Sequence, residues 1–312
     1  MIRGDTDRLQ FGVSITVDRK RVREMSALPI DSMWVGGHVA SPNGVQEVMV
    51  GLARLVELTD RIMIGSSILL LPLYPPAIVA KQVAELDRAS GGRLALGVGI
   101  GGEYPMEFDA CQVPVKERGA RTNEAIPLLR RLWTGEEVTH EGRFYPMHNV
   151  RIFPAPHQDG GPPLIVAGRQ PAAMRRAARL GDGWMPYLYS PRRYAESVAT
   201  IQADAAQIGR ELSGFHWTAF LFTAIDDDTD RALDKAAEFL GGTYRQNFRE
   251  MVDRVAVAGD PDRLAQRLQE FVDAGARHLI LTIADRVDPF GAARRVFAEV
   301  VPRLHIRPEG TN

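Results

Sequence analysis

Three short stretches pair reactive side chains with backbone suited to a ligand. In Leu94 to Phe108, LALGVGIGGEYPMEF, an apolar run opens into Gly97, Gly99, Gly101 and Gly102, and Glu103 and Tyr104 follow at once. Glycine lets backbone approach a flat or phosphorylated ligand, because no Cβ stands in the way. The plainer alternative is a Gly-rich turn with a solvated carboxylate. In Val35-Gly36-Gly37-His38 an imidazole follows two glycines. Its unperturbed pKa near neutrality suits proton transfer, and the alternative is a histidine bonded to backbone. In Ala167-Gly168-Arg169-Gln170-Pro171 a strand meets a helix. Free N–H groups and the helix dipole favour an anion there, and a guanidinium strengthens phosphate binding. Ser66-Ser67 adds two hydroxyls inside an apolar strand, where each needs a partner in ligand or backbone.

These stretches have to be held by a scaffold, and the rest of the chain supplies one. Apolar segments read as strands at Phe11–Ile15, Asp31–Val35, Ile62–Leu69, Leu94–Val98, Pro163–Ala167, Trp184–Pro186, His216–Ala224 and His278–Ile283. Helical spacing covers Val45–Leu58, Pro76–Arg88, Arg118–Trp133, Ala172–Leu180, a segment from Pro191, Pro261 to Gly275, and Pro289–Leu304. Asp260-Pro261 and Ser190-Pro191 are N-cap and first-position pairs, and Gly91-Gly92 ends a helix. Strands alternating with helices predict an α/β fold, a (β/α)8 TIM barrel, as one domain over 1–312. Thr134–Gly161, rich in Gly and Pro, is too long for a plain connection and reads as a lid or insertion after strand four. In such a barrel the strand carboxyl ends converge on one mouth, where ligands bind.

Composition narrows the function. The net charge of −1 argues against nucleic acid or an anionic membrane surface as the main partner. Cys111 is the only cysteine, so there is no disulfide framework and no cysteine-based metal site, and it reads as a packing residue. No metal site is expected. MIRGDTDRLQ has no signal-peptide core, and the run near Ile62 to Leu71 is too short to span a bilayer. A cytoplasmic protein is expected. Gly97-Val98-Gly99-Ile100-Gly101 is not a dinucleotide fingerprint, since Glu103-Tyr104-Pro105 stands where a helix must begin.

The string LALGVGIGGEYPMEF, with Val115-Lys116-Glu117-Arg118-Gly119, PLIVAGRQPAAMRRAARLGDGWMP and AGDPDRLAQRLQEFVDAGARHLIL, resembles the bacterial luciferase-like flavin and deazaflavin oxidoreductases. The likeness runs from Phe11 to about Leu304. It implies a barrel with the cofactor at the strand carboxyl ends and its phosphate at Gly168-Arg169. It also implies a non-prolyl cis bulge at Ser67-Ile68 against which the ring rests. By the same resemblance His38 is the acid/base and Glu103 works at the ring. Cofactor contacts then fall on Gly37, Ser66, Ser67, Ile68, Gly99, Gly101, Ala167, Gly168 and Arg169. The chain departs from the family's dehydrogenase pattern at Gly37, where those members carry an acid before the histidine. The sugar-phosphate branch uses lysines on its substrate. Here Lys20, Lys81, Lys116 and Lys235 are the lysines, and none lies in a strand-end stretch.

The resemblance implies an oxidoreductase that exchanges a hydride between coenzyme F420 and a small organic substrate. Trp184, Tyr187 and the 134–161 segment are candidate walls of the substrate pocket. A second reading keeps the fold and makes it an FMN-dependent monooxygenase supplied by a separate flavin reductase. A third is a flavin-binding protein without catalysis. A homodimer is also implied.

Overall fold

The computed structural model describes residues 8–307. Eight parallel strands close into a barrel: β1 Gln10–Ser14, β2 Ser32–Val35, β3 Met63–Ser66, β4 Leu94–Gly99, β5 Leu164–Ala167, β6 Gly183–Met185, β7 His216–Ile225 and β8 His278–Ile283. Each pairs with the next in sequence, and β1 closes the ring on β8 in register Gln10 with His278. The expected (β/α)8 architecture is therefore the observed one.

The strands read as unbroken apolar runs because both of their faces are buried. Side-chain alternation then sorts each residue inward or outward. Trp34, Met63, Ala95, Ile165, Met185 and Ile280 share the barrel interior. Met33, Leu94, Leu96, Val166, Leu279 and Leu281 face the helical layer. Trp34 fills much of the interior: a Cβ on Gly65 would lie 2.4 Å from its ring. Glycine at 65 is what leaves room for that indole.

Several boundaries differ from the sequence reading, each for a local reason. The helix expected from Val45 starts at Val48, because Glu47 caps it and accepts the Val50 N–H at 2.8 Å. Strand three stops at Ser66 and resumes as Leu69–Leu70 beside β4, with the Ser67–Ile68 peptide cis between them. The insertion holds an antiparallel hairpin, Glu137–His140 with Met147–Arg151. It lies along the outer flank of the helix Arg118–Leu132, where Glu124 accepts the backbone N–H groups of Phe144 and Tyr145. Beyond it, Gln158 donates to the Leu94 carbonyl at the foot of β4. Its contacts run away from the mouth, so it does not serve as the expected pocket wall. The last helix is regular only over Pro289–Arg295, then widens over 296–300 and tightens over 301–303 at Pro302.

Strand β7 outgrows its neighbours. Its last residues, Thr223–Ile225, pair with an extra strand, Val257–Gly259. Between them the helix Thr229–Tyr244 packs on Phe222, Phe248, Val252 and Leu188, in a small apolar core distinct from the barrel's. Among the described residues no helix is long and apolar enough to cross a membrane.

Candidate functional site

The mouth begins where β2 ends. Gly36 and Gly37 are required there by close backbone approach: a Cβ on Gly37 would sit 2.0 Å from the Gln46 carbonyl oxygen. Gln46 in turn ties the strand ends together, donating to the Ile15 and Gly36 carbonyls and accepting the Val17 N–H. His38 follows directly. Its Nδ1 lies 3.3 and 3.2 Å from the two carboxylate oxygens of Glu107, and its ring meets Tyr104 edge-on at 4.8 Å. Glu107 is 0% exposed and His38 20%. A carboxylate taken out of water needs a donor, and the His38 ring supplies it. This contact keeps the proton on Nδ1 and leaves Nε2 without a hydrogen-bond partner among the described residues.

Glu107 stands on a short helix, Pro105–Ala110, that begins within the Leu94–Phe108 stretch. Proline at its first position starts the helix, and Phe108 anchors it in a cluster with Leu70 and Leu73. That anchoring turns Glu107 inward.

Glu103 belongs to a second cluster. The Tyr187 hydroxyl donates to Glu103 Oε1 at 2.8 Å, and the Arg169 guanidinium lies over the Tyr187 ring at 4.9 Å. Tyr244 stacks on Tyr187 with centroids 6.4 Å apart. Burial, then the Glu103 charge, pushes the Tyr187 hydroxyl up to about 12, so it stays a donor. The end of the helix Thr229–Tyr244 links both clusters, since the Thr243 carbonyl accepts from Asn43 at 3.2 Å and from Tyr104 at 3.4 Å.

A third group forms an apolar floor. A Cβ on Gly99 would lie 1.9 Å from Ile68 Cδ1 and 3.9 Å from the Ala167 Cβ, so Ile68 occupies the space that Gly99 leaves. Beside it Gly168 has φ +134°, and a Cβ there would meet Ala173 at 2.7 Å. Gly168 thus brings bare backbone to the start of the helix Pro171–Leu180, the arrangement an anion needs.

Ser66, Ser67 and Gly101, also expected at the site, each have neighbours within the protein. Ser66 is fully buried and its hydroxyl donates to the Gly97 carbonyl at 2.8 Å, so it braces two strands. Ser67 Oγ is 3.3 Å from Ser14 Oγ. Gly101, at φ +61°, backs onto Leu70 and Phe108. Trp184 is not a pocket wall: strand alternation turns it outward, where it is fully buried and its indole donates to the Gly168 carbonyl at 2.8 Å. A cavity of about 770 Å³ opens at the opposite, amino-terminal end of the barrel, lined by Gly91, His157, Asp182 and Arg210 among others. It lies far along the strands from the clusters above. Among the described residues no three His, Cys, Asp or Glu are placed to hold a metal ion.

Residues 6–278 match the family model for luciferase-like monooxygenases. The chain belongs to this family. It is an oxidoreductase of the luciferase-like kind. The F420-dependent glucose-6-phosphate dehydrogenase of Beutenbergia cavernae is 29% identical, over 96% of this chain and 98% of its own. An F420-dependent secondary alcohol dehydrogenase, solved with an F420–acetone adduct, superposes with a TM-score of 0.84 at 19% identity, over 96% of this chain and 99% of that one. The oxygenating component of 3,6-diketocamphane monooxygenase from Pseudomonas putida, solved with FMN, gives 0.77 at 18% identity, over 96% of this chain and 100% of that one.

Proposed function

We propose that the chain is a coenzyme F420-dependent oxidoreductase that exchanges a hydride between the deazaflavin and a small organic substrate at the carboxyl-end mouth. The observation that carries this reading is the His38–Glu107 pair beside a floor of Ile68, Gly99 and Ala167. The floor is apolar, with Ile68 in the space that Gly99 leaves, which suits a planar ring. The Gly168 backbone and the helix start behind it suit the phosphate. The deazaflavin, when bound, supplies the hydride chemistry. The protein supplies proton management and position. Glu107 holds His38 by Nδ1, so that Nε2 gives or takes the substrate proton. Tyr187 holds Glu103 at the floor's edge, and Arg169 adds positive charge beside them.

The relative at 29% identity is named for glucose-6-phosphate, but the lysines here do not favour a sugar phosphate. Lys20 and Lys81 pair with Glu24 and Glu85 on outer helices. Lys235 does reach the ends of β7 and β8, yet Asp226 and Asp285 hold it at 3.1 and 3.0 Å. A substrate with apolar surface fits the aromatic mouth of Tyr104, Tyr187 and Tyr244 better.

Side-by-side titration of the apo-protein with F420 and FMN, followed by tryptophan fluorescence, tests the reading. Micromolar or tighter F420 binding with weak FMN binding is expected. Preferential FMN binding would replace it with a monooxygenase fed by a flavin reductase.

A further inference from the structure

Arginine 176 is buried to 6% exposure in the seam between the helices Arg118–Leu132 and Pro171–Leu180. A buried guanidinium ordinarily has a carboxylate beside it. Here it has neutral acceptors: Nε donates to Asn123 Oδ1 at 2.7 Å and Nη2 to the Gly119 carbonyl at 3.3 Å. Nη1 has no hydrogen-bond partner among the described residues. Burial lowers its pKa, and no acid opposes that shift. Arg175 and Arg179 stand one turn apart on the same helix, and neither makes an ion pair among the described residues. Like charges four residues apart destabilise a helix. All three arginines, with Asn123 and Ala172, line a cavity of about 390 Å³ on the outer flank of the barrel.

We infer that this cavity is an anion site, separate from the mouth, that takes a polyvalent phosphate or carboxylate group between Arg175, Arg176 and Arg179. A multiply charged anion would neutralise the like-charge pair and accept a hydrogen bond from Nη1. Two sources offer that chemistry: a free anion, or the carboxylate-bearing chain of a cofactor whose phosphate lies at Gly168, where the same helix begins. The site itself stands on the arginines; only the cofactor as its source rests on the proposed function.

Calorimetric titration with inorganic pyrophosphate at constant ionic strength tests it, using the apo-protein and the double variant Arg175→Ala/Arg179→Ala. Both replaced side chains are exposed, so the fold is kept. The expected result is one pyrophosphate per cavity, bound at least tenfold more weakly by the variant, whose melting temperature without anion is no lower than that of the parent. No binding, or equal affinity in the two proteins, overturns the site. The same pair titrated with F420 and with F420 cut back to its phosphate then identifies the source. A variant that is weakened only toward full-length F420 assigns the anion to the cofactor. Equal affinity for both forms assigns it to a free anion.

Discussion

Glu107 brings both carboxylate oxygens to within 3.3 Å of His38 Nδ1. The two residues are 69 positions apart, His38 on the loop after β2 and Glu107 on the helix Pro105–Ala110. Position 37, just before the histidine, is glycine, and the acid beside the imidazole is Glu107. With His38 as general acid, His38→Ala is expected to lower turnover by roughly 10²–10⁴ while cofactor affinity stays within a few-fold. Glu107→Gln keeps the shape and removes the charge, so a smaller loss and a displaced pH–rate profile are expected. Unchanged turnover in His38→Ala would remove the residue from the mechanism.

Gly37→Asp is expected to fail as a way of restoring the family's usual acid. The new Cβ would lie 2.0 Å from the Gln46 carbonyl oxygen, which is backbone in the loop just before the helix Val48–Leu58. Destabilisation of at least the roughly 1–3 kcal/mol of an overpacked site is expected by urea unfolding. An unchanged midpoint would mean that the loop yields.

Arg169→Ala is expected to weaken cofactor binding, read by fluorescence titration. The guanidinium lies over Tyr187, whose hydroxyl holds Glu103, so the loss combines a lost charge with a loosened Glu103. Normal binding would move the anion-holding role to the Gly168 backbone.

His278 gives a pH dependence that is independent of catalysis. Trp34 Nε1 donates to Ser32 Oγ at 2.8 Å, and Ser32 is 2.7 Å from His278 Nε2. Among the described residues Nδ1 is buried without a partner. Burial, reinforced by the charges of His216 and Arg8, lowers the pKa from 6.5 to about 3. The folded state therefore refuses a proton that the unfolded chain accepts, and stability present above about pH 6.5 is lost as pH falls toward 3. One such proton contributes up to about 1.4 kcal/mol per pH unit. His278→Gln is expected to flatten the unfolding free energy across that window. Curves that run parallel to the parent's would place the proton uptake elsewhere.

The barrel was legible because its strands are buried on both faces and its helices carry capping signals such as Asp260-Pro261. The strand-end positions followed from the barrel, and so did His38, Glu103 and the Gly168 loop. Glu107 was not legible. Six residues, Pro105–Ala110, make a helix too short to show a period, and its inward turn is decided by Phe108 packing on distant Leu70. Trp184 was misplaced for a simpler reason: a three-residue strand does not reveal which of its faces is the inner one. Tyr244 escaped notice because its partner, Tyr187, is reached only through the fold.

The structure over the mouth has a hydrophobic core of its own, from Leu188 and Phe222 to Phe248 and Val252. A peripheral cluster packed on the ends of β7 and β8 can open locally at a lower free energy than global unfolding. Amide hydrogens along the helix Thr229–Tyr244 should therefore exchange through a local opening that leaves the barrel strands protected. The residence time of whatever occupies the mouth would then follow the stability of this roof, and substitutions in that small core would tune it without altering a single residue that touches the ligand.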